Sequence, residues 1–172
     1  TIWITGITAS GKTTLGRKLF EQLIEKGVQP LEFLDGEEYR KRLDKTYGHS
    51  IEDRMLLSKK WVEIVHEKNR LGINVIISTV SHKKVMREYA RSKIPRFMEI
   101  FLNCSSEVCA NRDHKGHFKL AQKGEYELFP GVTEAYEPSD APELMLKTDE
   151  KPLKECINIL YREVSFFLGL DS

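Results

Sequence analysis

The chain has 172 residues, 40% of them hydrophobic and 31% charged, as expected of one globular domain with a sizeable core. Its 27 Lys and Arg nearly cancel 26 Asp and Glu, so no overall field draws it to nucleic acid or to an anionic membrane, and any anion must be met by a local cluster. No run reaches the ~18 apolar residues of a membrane span, no basic-then-apolar leader is present, and Cys104, Cys109 and Cys156 lack the spacing of a disulfide framework or a zinc site, which together predict a reduced, cytoplasmic protein with a small-molecule partner.

The first apolar run, Ile2 to Thr5, reads as a strand. Residues Gly6 to Thr13 then spell Gly-Ile-Thr-Ala-Ser-Gly-Lys-Thr and lead into a helical pattern, which is the context of a phosphate-binding loop. Its glycines let successive N–H groups turn inward as an anion nest, and the helix that follows adds the positive end of its dipole. Lys12 reaches the outer phosphates and the Thr13 hydroxyl can ligate magnesium. Gly6, Ile7, Thr8, Ala9, Ser10, Gly11, Lys12, Thr13 and Thr14 are therefore expected to hold ATP, with Mg2+ beside Thr13.

The helix from Gly11 to about Lys26 carries Leu15, Leu19, Leu23 and Ile24 as one apolar stripe, and Gly27 is placed to stop it. A strand at Leu31 to Leu34 and a helix near Met55 to Arg70 come next. Strands at Ile73 to Thr79, Phe97 to Asn103 and Leu144 to Lys147 then alternate with helices around Lys83 to Arg91, Ser106 to Asn111 and Leu153 to Leu168. This succession predicts an α/β fold of the P-loop NTPase kind, a doubly wound five-stranded parallel sheet with helices on both faces. The phosphate loop, Asp35, Ser78 to Ser81 and Cys104 all follow strands and so gather at the carboxyl edge where ligands bind. Arg112 to Pro142 breaks the rhythm. It is rich in Lys, Gly, Glu and Tyr, lacks a clear period, and is too long for an ordinary connection. A mobile lid over the substrates is the expected role.

Beyond the phosphate loop, three groups of residues carry a more specific pattern. They are Leu34-Asp35-Gly36-Glu37-Glu38-Tyr39-Arg40 with Gly48-His49-Ser50 and Asp53-Arg54, then Arg112-Asp113-His114-Lys115-Gly116-His117-Phe118, then Phe129-Pro130-Gly131-Val132 with Ala135-Tyr136-Glu137-Pro138. With these the chain resembles the adenylylsulfate (APS) kinases, which use ATP to phosphorylate the 3'-hydroxyl of adenosine 5'-phosphosulfate. The resemblance implies that Asp35 lies near the acceptor hydroxyl and the magnesium ion, as a proton acceptor or a holder of metal-bound water. It implies that Arg40 and Arg54 contact the acceptor nucleotide, a task suited to a guanidinium fork, and it matches Arg87 to a further family arginine. Arg112 would stack on the ATP adenine, Lys115 would neutralise charge around the transferring group, and Phe129 would pack on the acceptor base. Ser81 aligns with a serine that some bacterial members phosphorylate; here it is expected to make a backbone contact at the substrate. Family members are often dimeric, so a homodimer is implied.

Four departures fall on the acceptor side. The family has phenylalanine at His49, asparagine at Leu57, proline at His82 and arginine at Lys84, and Glu37 stands for a second aspartate. His49 is expected to stack on the acceptor base opposite Phe129, with Leu57 nearby. These departures fit a branch that phosphorylates the 3'-hydroxyl of cytidine diphosphoramidate, so two acceptors stay open. A different class, an ATP-binding regulatory module without an acceptor, is opposed by the intact Asp35 and lid pattern.

Overall fold

The computed structural model describes residues 1–43 and 47–170. Five strands, β1 (Ile2–Thr5), β2 (Leu31–Asp35), β3 (Asn74–Ser78), β4 (Met98–Asn103) and β5 (Leu144–Lys147), form one parallel sheet in the order β2-β3-β1-β4-β5. Because successive side chains on a strand point to opposite faces, each strand supplies two layers. Ile2, Ile4, Ile76, Met98 and Ile100 face α1 (Lys12–Glu25) and α7 (Leu153–Leu168), where Leu15, Leu19, Leu160 and Val164 complete the core. Trp3, Leu34, Val75 and Ile77 face the other way, against Trp61, Val62 and Val65 of α3 (Ile51–Arg70) and Ala90 of α4 (Lys84–Lys93). These are the two helical layers of the expected doubly wound fold. Among the described residues no helix is long and apolar enough to cross a membrane.

Three local features differ from expectation. The helix expected from Met55 begins at Ile51, because the Ser50 hydroxyl accepts the Asp53 N–H and caps it. A five-residue helix, α2 (Gly36–Arg40), lies directly after β2, capped by Asp35. Residues 112–142 are not a bare loop. They contain the end of α5 (Ser106–Arg112) and a short α6 (His117–Gln122), and Phe118, Ala121 and Phe129 bury themselves with Ile7 and Cys109 in a third apolar cluster.

Candidate active site

At the carboxyl edge a cavity of about 1090 Å³ runs from the phosphate loop to Arg54, Leu57, Ser58 and Trp61 of α3. The loop's shape follows from its backbone. Gly6 sits at φ +148°, and a Cβ there would come within 2.7 Å of the Leu102 carbonyl oxygen. Ala9 and Gly11 also have positive φ. No side chain caps the start of α1, so its first N–H groups point at the cavity ready for an anion. Ser10 Oγ is buried without a partner in the same loop. Lys12 Nζ folds back to donate to the Ile7 carbonyl at 2.7 Å. Desolvation there lowers its pKa to about 8, against the opposing pull of Cys109, Asp35 and Glu37. A polyphosphate would restore the charge that burial disfavours.

Asp35 lines the cavity next to the phosphate loop and is 8% exposed. Its Oδ1 accepts the N–H groups of Glu37 and Glu38 at 3.0 and 3.1 Å, which fixes the carboxylate, and its Oδ2 accepts the Thr13 hydroxyl at 2.5 Å. Gly36 allows the approach, since a Cβ on it would meet the Ser78 carbonyl at 2.6 Å. Two residues beyond Asp35, Glu37 Oε1 takes the Lys115 ammonium at 2.6 Å across the cavity mouth. Arg112 donates to the Thr148 carbonyl at 2.9 Å and reaches Cys104 Sγ at 3.7 Å, which lays its guanidinium along the loop that follows β5.

The opposite end is lined by cations. Arg40 Nη2 donates to the carbonyls of Tyr47 and, at 2.7 Å, Gly48. Arg54 donates to the carbonyls of His49 and Leu128, both at 3.1 Å. Among the described residues neither guanidinium has a carboxylate ion-pair partner, although both line the cavity. Burial, then the neighbouring Arg40, lowers Arg54 to about 10, and burial followed by Arg40 and Arg54 lowers His49. Asp53 offsets the desolvation of Arg40 in part and nothing comparable offsets that of Arg54, so this end suits an anionic ligand. Leu57 adds an aliphatic wall beside Trp61.

The aromatic arrangement departs from the expected pair. Tyr126 contacts both His49 (ring centroids 5.6 Å apart, edge-on) and Phe129 (5.5 Å, stacked), and its hydroxyl lies 2.9 Å from His117 Nδ1. Phe129 is itself buried, with its second contact to Phe118. The rings of His49 and Phe129 are therefore joined through Tyr126, a residue that no sequence motif singled out.

Of the residues singled out from sequence, Thr8 to Thr14, Asp35, Arg40, His49, Arg54, Leu57, Ser81, Arg112, Lys115 and Phe129 all line this cavity. Gly6 and Ile7 support it from behind: Ile7 packs into the third cluster and offers its carbonyl to Lys12 and Ser10. Arg87 is elsewhere. It is 1% exposed, paired at 3.0 Å with the equally buried Glu99, and donates to Ser139 Oγ and to the carbonyls of Ser81 and Glu137 while packing on the Tyr136 ring. It fastens the tail of the 112–142 segment to the sheet. Thr148, whose hydroxyl donates to the Ser10 carbonyl at 2.9 Å, also lines the phosphate end. The rule that ligands gather after parallel strands could have found it, since it directly follows β5.

The comparison with known proteins settles which phosphate-loop fold this is. A family model described as adenylylsulphate kinase matches residues 1–147. The chain belongs to the adenylylsulphate kinase family. It is thereby an ATP-dependent phosphotransferase with an alcohol group as acceptor. An adenylyl-sulfate kinase of Gloeothece citriformis is 39% identical to it, over 92% of this chain and 89% of that one. A probable adenylyl-sulfate kinase of Archaeoglobus fulgidus is 38% identical over 87% and 96%. Among solved structures, the Mycobacterium tuberculosis APS kinase in complex with AMPPNP and APS superposes with a TM-score of 0.87, at 27% identity and covering 95% of this chain and 96% of that one. Family membership does not favour a regulatory module without an acceptor.

Proposed function

We propose that the chain transfers the γ-phosphoryl group of ATP to the 3'-hydroxyl of an acceptor nucleotide with an acidic 5'-substituent, adenosine 5'-phosphosulfate in the first place. The observation that carries this reading is the 2.5 Å bond between Thr13 Oγ1 and Asp35 Oδ2. It joins the phosphate loop to a carboxylate at one point between the anion nest and the end lined by Arg40 and Arg54. With Oδ1 committed to two N–H groups of α2, Oδ2 keeps a lone pair beyond its bond from Thr13 with which to receive the proton of the attacking hydroxyl. Phosphoryl transfer asks mainly for alignment and charge stabilisation, which Lys12 and Lys115 supply around the transferring group. Lys115 would exchange Glu37 for phosphate oxygens as residues 112–142 close and exclude water. Arg112, held flat by Thr148 and Cys104, would stack on the ATP adenine.

Magnesium suits the same point. Thr13 and Asp35 present hard oxygen donors side by side, and among the described residues no group of three or more His, Cys, Asp or Glu could hold a metal by itself. That is the donor set of an ion carried largely by water and substrate phosphates. When bound it would offset the charge of the phosphates. Such a reaction fits the cytoplasm, where ATP is supplied.

A second acceptor, cytidine diphosphoramidate, is supported by His49 and Leu57 lining the cavity where the resemblance implies phenylalanine and asparagine. The deciding experiment incubates the protein with ATP, magnesium and each acceptor and compares kcat/KM. Phosphorylation of the sulfate compound at its 3'-hydroxyl supports the first acceptor, and a preference for the cytidine compound replaces it. No phosphorylated product with either acceptor would sink the kinase reading.

A further inference from the structure

At the acceptor end, two buried polar side chains that line the cavity, Ser58 and His82, have no part in the roles assigned so far, and of these the imidazole reaches further. His82 lines the cavity, is 1% exposed, and its Nε2 has no hydrogen-bond partner. Buried polar atoms in folded proteins are paired almost without exception, and here a buried ring nitrogen on a cavity-lining residue lacks the partner that its burial calls for.

The turn that carries this side chain is held on every side. Thr5 Oγ1 donates to the Val80 carbonyl at 2.7 Å, Arg87 Nη1 to the Ser81 carbonyl, and the Glu137 N–H to the His82 carbonyl at 2.8 Å. Three consecutive carbonyls are thus fastened by β1, α4 and the 112–142 segment in turn. Ser81, between them, sits at φ +37°. A side chain on so fixed a backbone loses little freedom when a ligand arrives, so its contact is preorganised.

The surroundings choose the ligand. Burial, then Arg54 and Lys83, lowers the His82 pKa to about 4, against the opposing pull of Glu134 and Glu137, so the ring is neutral at pH 7. Lys83 is already paired with Glu134 and Glu137, whereas Arg54 has no carboxylate ion-pair partner among the described residues. Charge for an anion therefore comes from Arg54, and a neutral imidazole adds direction: it donates from one nitrogen only and can hold its proton on Nε2.

We propose that His82 is an acceptor-contacting residue, donating a hydrogen bond from Nε2 to the acidic 5'-substituent of the acceptor nucleotide beside Arg54. The assignment rests on the kinase reading above and adds to it a residue that sets affinity for the acceptor and not for ATP.

The test compares wild type, His82→Leu and His82→Gln in steady-state assays with ATP and adenosine 5'-phosphosulfate, reading the two KM values and kcat separately. Leucine removes the donor, and the acceptor KM is expected to rise about tenfold or more, with the ATP KM and kcat at saturating acceptor changing less than about twofold. Glutamine places an amide N–H near the position of Nε2 and is expected to recover most of that loss. Thermal melts with and without AMPPNP separate this from misfolding, because the stabilisation by AMPPNP is expected to match wild type; where leucine does not fold, His82→Ala takes its place. An unchanged acceptor KM in the leucine variant, or a glutamine variant no better than leucine, overturns the assignment. A wild-type protein that phosphorylates no acceptor overturns the kinase reading instead, and the two failures are distinct.

Discussion

The two ends of the cavity are built by different means. At the phosphate end the groups that await a ligand are main-chain N–H groups, turned inward by positive φ at Gly6, Ala9 and Gly11 within a single short segment. At the acceptor end they are side chains brought together from four places: Arg40 on α2, Arg54 and Leu57 on α3, Ser81 after β3, and Tyr126 and Phe129 from the 112–142 segment. A backbone site keeps its ligand so long as the chain keeps its shape. An assembled site changes its ligand whenever one contributor changes, and it depends on the packing of every element that contributes. Of the departures, His49, Leu57 and His82 fall at the assembled end, whereas Lys84 lies outside the cavity and pairs with Asp140.

The contrast is tested most severely at the point where the two ends meet. Lys12→Ala and Asp35→Asn are each expected to lower kcat by roughly 10³-fold or more, since each removes charge or alignment needed in the transition state. Asparagine keeps the oxygen that caps α2, so its melting temperature should stay near wild type. An Asp35→Asn enzyme with near-normal kcat and only a raised acceptor KM would make Asp35 an ordinary member of the assembled end.

Next in size is the anchor of that end. Arg87→Met leaves the buried Glu99 with only the longer 3.5 Å contact to the partly exposed Arg91, and breaking a buried pair from one side costs about 3–5 kcal/mol. Urea unfolding checks this. A loss below about 1 kcal/mol would show that the 112–142 tail is held by something other than this pair.

The smallest effect is the most selective. Arg54→Ala is expected to raise the acceptor KM by about 10- to 100-fold while leaving the ATP KM unchanged, the value of a charge-assisted contact made to one substrate only. Equal changes in both KM values would mean that the cations serve the whole cavity and that the division into two ends is wrong.

The same division governs what could be read without a structure. The phosphate loop was legible because its residue types follow one another along the chain and its chemistry lies in their backbone. The five strands were legible because buried parallel strands are continuous apolar runs. Tyr126 was not, since its place depends on how residues 112–142 fold back, and an unperiodic segment gives no register. Nor was α2, which is too short to show a helical period and is set by the Asp35 cap. Arg87 was matched only to a further family arginine, and its part as a buried anchor was not legible from that match. The clue was across the sheet: Glu99 is a charge inside the otherwise apolar run of β4, and such a charge requires a buried partner.

The turn at residues 80–82 has a consequence for how such an enzyme acquires a new substrate. Its bonds to Thr5, Arg87 and Glu137 are all made through its own carbonyls, so they do not depend on which side chains occupy positions 81 and 82. Replacement there alters what the pocket wall offers while the scaffold stays in register. Evolution can exchange the fitting and keep the mount, so divergence in substrate preference needs few mutations and little loss of fold.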